Sequence, residues 1–170
     1  MRALQQPPEC CQEKNMRAKT VLFTLAICLA AAGLVMAKTN PNMGTWKLNE
    51  AKSKFPAGAP KNHTVSYEAA GDDIKVTVDG TDGDGNATHN EWTGKFDGKC
   101  YAVTGDSTAD QRCYRIINSR TMTFTNNMAG KVVLNGRIVI SMNGKMRTVT
   151  TTVTNAKGKR STSRAVYDKQ

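Results

Sequence analysis

The sequence predicts an all-β protein: an antiparallel up-and-down meander closed into a barrel of eight to ten strands. Three observations carry this reading. Ile74-Lys75-Val76-Thr77-Val78-Asp79 alternates apolar and polar residues, which places Ile74, Val76 and Val78 on one face of a half-buried strand. Turn signals recur at short intervals, at Ala70-Gly71-Asp72-Asp73, Asp82-Gly83-Asp84-Gly85, Asp97-Gly98, Asn127-Met128-Ala129-Gly130, Asn143-Gly144 and Lys157-Gly158. From Gly44 onward almost no stretch has helical period, and a succession of hairpins removes its exposed edges best by closing on itself.

The strands are expected near 44–49, 62–69, 73–80, 87–96, 99–104, 111–118, 121–126, 131–141, 145–155 and 161–168. Period two puts Met122 and Phe124 inward on the seventh, Ile138 and Ile140 inward on the eighth, and Tyr101 with Val103 on one face of the fifth. Residues 50–61 break the rhythm with Pro56, Pro60 and no alternation, so they form a loop or at most one helical turn. Phe55 is the bulky apolar residue of that loop and is expected to cover one barrel end.

The barrel does not account for the first 37 residues. Met16-Arg17-Ala18-Lys19 is a short basic start, Thr20 to Val35 is apolar, and Val35-Met36-Ala37 offers small residues for cleavage before Lys38. Residues 16–37 therefore read as a signal peptide and 38–170 as a single domain. Residues 1–15 read as an extension upstream of the true start, because Gln12-Glu13 can be encoded with a bacterial ribosome-binding sequence two codons before Met16; a long basic leader is the alternative. The apolar run of about sixteen residues is short of the ~20 that span a bilayer, so an integral membrane protein is not expected. Cys28 follows the large Ile27, unlike a lipoprotein box. Export to the periplasm or the medium is the expected fate.

Residues 38–170 hold 20 basic and 12 acidic side chains, net +8, unevenly spread: 38–98 carry −2 and 99–170 carry +10. The basic half is either a solvated face or a surface for anionic envelope polymers or lipids. Cys100 and Cys113 are the cysteines of this span, and an even pair across a short hairpin in an exported chain is expected to form a disulfide; two free thiols are the alternative. A pair of thiolates with no histidine nearby is an incomplete metal site.

Large apolar and aromatic residues (Leu, Ile, Val, Met, Phe, Trp, Tyr) make up only 31 of these 133 positions, and threonine is abundant. A barrel so poorly supplied either fills its interior with polar groups and water or keeps a cavity.

Gly44-Thr45-Trp46-Lys47-Leu48 opens the first strand, and there the chain resembles the calycin group of lipocalins, fatty-acid-binding proteins and avidins. Together with the closing Val166-Tyr167-Asp168-Lys169, it looks like a family of small exported bacterial lipocalin-like proteins. The resemblance implies a barrel floor closed by Trp46, with Arg164 from the last strand stacked on the indole. It departs from fatty-acid-binding proteins in two ways. Residues 50–61 are too short and proline-rich for two portal helices, and Arg164 and Tyr167, three apart, point to opposite faces instead of forming a carboxylate clamp.

No catalytic constellation appears. Asp82-Gly83-Asp84-Gly85-Asn86 begins like a calcium loop, but Ala87 and Thr93 stand where glycine and glutamate are needed, and a tight turn explains it equally. His89 has only Glu91 on its strand face, a pair expected on the outer surface, and His63 has no converging partner. Asn62 and Asn86 match glycosylation acceptors, which mean little if the source is bacterial. Nucleophile elbows, phosphate loops and paired helical histidines are missing, and so are aromatics interleaved with the positive charges, which argues against nucleic acid.

The expected function is thus that of a monomeric, non-enzymatic barrel, without cofactor or metal, that holds a small hydrophobic or amphipathic molecule. Trp46, Tyr67, Val76, Val78, Trp92, Phe96, Met122, Phe124, Ile138 and Ile140 are the ligand-lining candidates. The alternative is a filled scaffold whose basic C-terminal half, through Arg137, Lys145, Arg147, Lys159 and Arg160, binds anionic envelope components.

Overall fold

A computed structural model describes residues 40–154 and 158–170. The segments expected to be an upstream extension, 1–15, and a signal peptide, 16–37, lie outside the described residues, as do residues 38–39. The described residues form β1 (Gly44–Leu48), β2 (Lys61–Ala70), β3 (Asp73–Thr81), β4 (Ala87–Gly94), β5 (Asp97–Thr104), β6 (Gln111–Asn118), β7 (Thr121–Met128), β8 (Lys131–Ile140), β9 (Met146–Thr154) and β10 (Arg160–Lys169). Each strand pairs antiparallel with the next, and β10 returns to β1, so the sheet closes as a ten-stranded barrel with no free edge. Between β1 and β2 a single 3-10 turn, Glu50–Lys52, is capped by Asn49, whose side chain accepts the Lys52 N–H.

Alternation places the core where the strand pattern puts it. Val76, Val78, Met122, Ile138 and Ile140 are buried, as are Trp46, Val65, Trp92, Tyr114 and Tyr167. Cross-strand pairing assembles inward rows, of which Tyr114, Phe124, Gly136 and Thr151 form one. Gly136 is required there: a Cβ would lie 2.1 Å from the Phe124 ring, which rests on the bare backbone. At the other end of the aromatic cluster a Cβ on Gly94 would lie 2.5 Å from the Tyr101 ring.

The loop 49–54 is strapped across the outside of β10. Asn49 N–H donates to Val166 O (2.8 Å), Lys54 and Arg164 exchange backbone hydrogen bonds of 2.7 and 2.8 Å, and the Ser53 hydroxyl accepts from Val166 N–H (2.9 Å). This cover explains why Val166 is only 1% exposed although it stands on the outward parity of its strand. The β4–β5 seam is the shortest in the barrel, registered only at Glu91–Thr104 and Trp92–Val103.

Cys100 and Cys113 are cross-strand partners on β5 and β6, their Cα atoms 4.1 Å apart, and a disulfide joins them. Constraining the unfolded chain over this loop is worth about 3 kcal/mol. Reduction, or Cys113→Ser, is expected to lower the urea midpoint correspondingly without changing the strand signal in circular dichroism, and an unchanged midpoint would contradict it.

Candidate functional site

The meander gives the barrel two unlike ends. The β1–β2, β3–β4, β5–β6, β7–β8 and β9–β10 connections share one end, the mouth; the β2–β3, β4–β5, β6–β7 and β8–β9 turns and both ends of the described chain share the other, the floor. Between them lies an interior cavity of about 440 Å³. Its walls include the apolar Val65, Val78, Ile138 and Val149 and the polar Thr151, Ser163, Asn90 and Asn126. Phe55 to Pro60 and Gly105 to Thr108 border it at the mouth. A second hollow, of about 660 Å³, is an open outer groove between the 50–59 loop and Thr81–Gly85, with few walls to enclose a ligand.

The floor is aromatic and cationic. Trp46, fully buried, donates its indole N–H to Asn42 O at 2.7 Å, which plugs the end. Directly above it, Arg147 reaches inward from β9, 2% exposed. Its guanidinium carbon lies 5.1 Å from the Trp46 ring centroid, 5.1 Å from Tyr67 and 4.6 Å from Tyr167. Tyr167 is the register partner of Arg147, so both side chains share the inner face. The Lys169 ammonium also lies 5.1 Å from the Trp46 ring. Burial pushes the Tyr167 phenol up to about 12, despite the opposing effect of Arg147, so it stays a neutral hydroxyl at ordinary pH. Burial raises Tyr114 as well, with Tyr67 adding to the shift.

Arg147 makes rings its neighbours and no hydrogen bond to them: Nε and Nη1 are buried without any acceptor. The contrast with Arg112, at the mouth end, is direct. Arg112 is also buried, but its Nε donates to Asn126 Oδ1 (2.9 Å), Nη1 to Asn90 Oδ1 (3.3 Å) and Nη2 to Asp106 Oδ2 (3.0 Å). That ion pair is closed and neutral, with side chains 7% and 12% exposed.

Of the ten ligand-lining candidates, Tyr67, Val78, Phe124 and Ile138 face the cavity. Trp46, Val76, Trp92, Met122 and Ile140 are buried in the core, and Phe96 packs half-buried on it, stacked on Trp92 at 6.0 Å. The Trp46–Arg164 closing pair is replaced. Arg164 stands on the outer face opposite Thr150 and donates to Lys52 O at 3.0 Å, tying down the strap, while Arg147 and Lys169 occupy the indole. The cause is parity: Tyr167 points inward, so Arg164 three residues earlier points out. Parity also removes Arg147 from the basic surface, where Arg137, Lys145, Lys159 and Arg160 remain exposed. In the sequence, Arg147 shares its parity with Val149, Thr151 and Val153, and this was the signal for its inward direction. Arg112 shares parity with Tyr114 in the same way.

The other candidates serve local structure. Asp82 Oδ1 accepts from the Asp84 and Asn86 backbone N–H groups, both at 2.9 Å, and so closes its own turn; those bonds, with the Asn86 side chain first, hold its carboxyl below the usual range. His89 pairs with Asp79 at 2.7 Å and Glu91 with Lys75 at 2.6 Å on the outer face. Among the described residues no three His, Cys, Asp or Glu side chains converge as a metal site, and no helix is long and apolar enough to cross a membrane.

No protein-family model and no curated protein matches this chain. Among solved structures, the chain is similar to a redesigned β-barrel, mFAP1, bound to DFHBI (13% identity, TM-score 0.43, covering 76% of this chain and 95% of that one). It is also similar to EF1p2_mFAP2b bound to DFHBI (10% identity, TM-score 0.44, covering 76% and 94%).

Proposed function

We propose that the protein is an exported, calycin-like binding barrel that holds a small, partly apolar molecule in its interior and performs no chemistry on it. The carrying observation is the cavity of about 440 Å³ between the Trp46 floor and the Phe55 loop. Its size lies in the range of small-molecule sites, and its walls combine aliphatic residues with a few fixed polar groups. Export rests on the Met16–Ala37 leader, and the Cys100–Cys113 bridge suits an oxidising compartment.

A second reading, binding of anionic envelope components, is favoured by one row of the outer face. Register sets Arg115, Thr123, Arg137, Thr150 and Arg164 side by side across five strands. One experiment separates the two. The full chain is titrated with the neutral polarity-sensitive dye 1-aminoanthracene and, separately, with dextran sulfate at low and high salt. The cavity reading expects saturable dye fluorescence that Thr151→Phe, which fills the cavity, weakens by at least about 10-fold. No dye binding, together with salt-sensitive capture of dextran sulfate, would replace it by the surface reading.

A further inference from the structure

Among the described residues, the interior of this barrel carries one positive charge, Arg147, that no acidic side chain answers. Arg112 is neutralised by Asp106, and among the described residues no carboxylate lies within ion-pair distance of Arg147. Nε and Nη1 together present three N–H bonds, all buried and none accepted. A guanidinium in this condition is expensive, because desolvation is offset only by the faces of Trp46, Tyr67 and Tyr167. What would satisfy it is an anionic oxygen acceptor arriving through the cavity that Arg147 lines.

We propose that Arg147 is the anchor of an anion site at the cavity floor, and that the ligand is an amphiphile entering head-first, its carboxylate on Arg147 and its apolar body along Val65, Val78, Ile138 and Val149. This rests on the reading of the cavity as a binding site and names the ligand's charge and direction. The neighbours of Arg147 fit the role. Tyr167, whose ring lies 4.6 Å from the guanidinium carbon, keeps its phenol protonated by burial and so supplies a hydroxyl donor beside it. The Lys169 ammonium on the same indole adds positive potential to the floor. Size sets the class: about 440 Å³ is the liquid volume of about 15 waters, comparable to a carboxylic acid of medium chain length. A cation is excluded by charge, and a neutral alcohol would leave most of the N–H bonds unmet. The closed Arg112 pair at the mouth offers no competing site, since each of its nitrogens already has an acceptor.

The test uses the full chain, with 1-aminoanthracene in the cavity as reporter and three displacing probes of equal length at pH 7.4: dodecanoate, 1-dodecanol and dodecylammonium. Dodecanoate is expected to displace the dye at a concentration at least about 10-fold lower than dodecanol, and dodecylammonium not at all. Arg147→Met is expected to keep dye and dodecanol binding and to lose the preference for dodecanoate; Arg147→Lys should recover part of it, and Lys131→Met, exposed at the start of β8 and part of neither proposed site, should change nothing. Orientation is read on the unaltered protein, where 2-bromododecanoate should quench tryptophan fluorescence more than 12-bromododecanoate, because Trp46 lies beneath the anchor. Equal displacement by acid and alcohol, or stronger quenching by the tail-labelled acid, overturns the anchor while leaving a binding cavity in place. Failure of the dye to bind removes both.

Discussion

Trp92→Ala is expected to cost about 3–5 kcal/mol of unfolding free energy, the cost of emptying a large aromatic site in a packed core. Trp92 is 1% exposed and stands at the centre of the ring cluster: Phe96 stacks on it at 6.0 Å, Tyr101 meets it edge-on at 5.7 Å and Tyr114 at 4.8 Å. Its indole N–H also donates to Arg112 O at 2.9 Å, so alanine leaves a buried carbonyl without its partner. The residue sits beside the short β4–β5 seam, where few backbone bonds share the load. Urea unfolding followed by circular dichroism reads the effect, and a loss below about 1 kcal/mol would mean that the cluster repacks around the void. Because Trp92 does not face the cavity, the dye affinity of the fraction that stays folded should change far less than its stability.

The barrel was legible from the chain because its strands alternate where they are apolar. Ile74, Val76 and Val78 on β3 and Ile138 and Ile140 on β8 need no tertiary information, since one residue of slip would expose every one of them. The Asp-Gly and Asn-Gly turns set the hairpins in sequence, and ten short strands in a meander leave closure as the natural end state. The site was harder to read because its inner face is largely polar. Thr151 and Ser163 face inward and Thr150 and Thr162 outward on the same two strands, and residue type distinguishes none of them. Threonine suits either face of a sheet, so only register, carried from neighbouring valines, assigns it. Charge misleads in a second way. A run such as Lys145-Met146-Arg147 reads as a basic surface, and composition cannot say that its first charge meets water while its second meets three rings. The strap was visible as a proline-rich interruption, whereas its attachment through Arg164 depends on pairing between residues 112 positions apart.

The two buried arginines should respond to removal in opposite ways. Arg112→Leu leaves the half-buried Asp106 carboxylate and the buried side-chain oxygens of Asn90 and Asn126 without their common donor, and is expected to cost about 3–5 kcal/mol. Arg147→Met abandons no acceptor, since none faces its Nε or Nη1. It sacrifices three contacts with aromatic faces, each worth about 0.5–2 kcal/mol, and relieves a buried charge whose desolvation costs several kcal/mol, so its stability is expected to fall by no more than about 1 kcal/mol or to rise. Urea midpoints of both variants beside the unaltered protein, without ligand, give the comparison. If Arg147→Met were as damaging as Arg112→Leu, the guanidinium would be a structural pin and the floor would need no anion. If it is neutral or stabilising, a charge that the empty barrel would hold more easily as a methionine is one whose partner comes from outside the chain. Adding dodecanoate should then raise the midpoint of the unaltered protein and leave that of Arg147→Met nearly where it was.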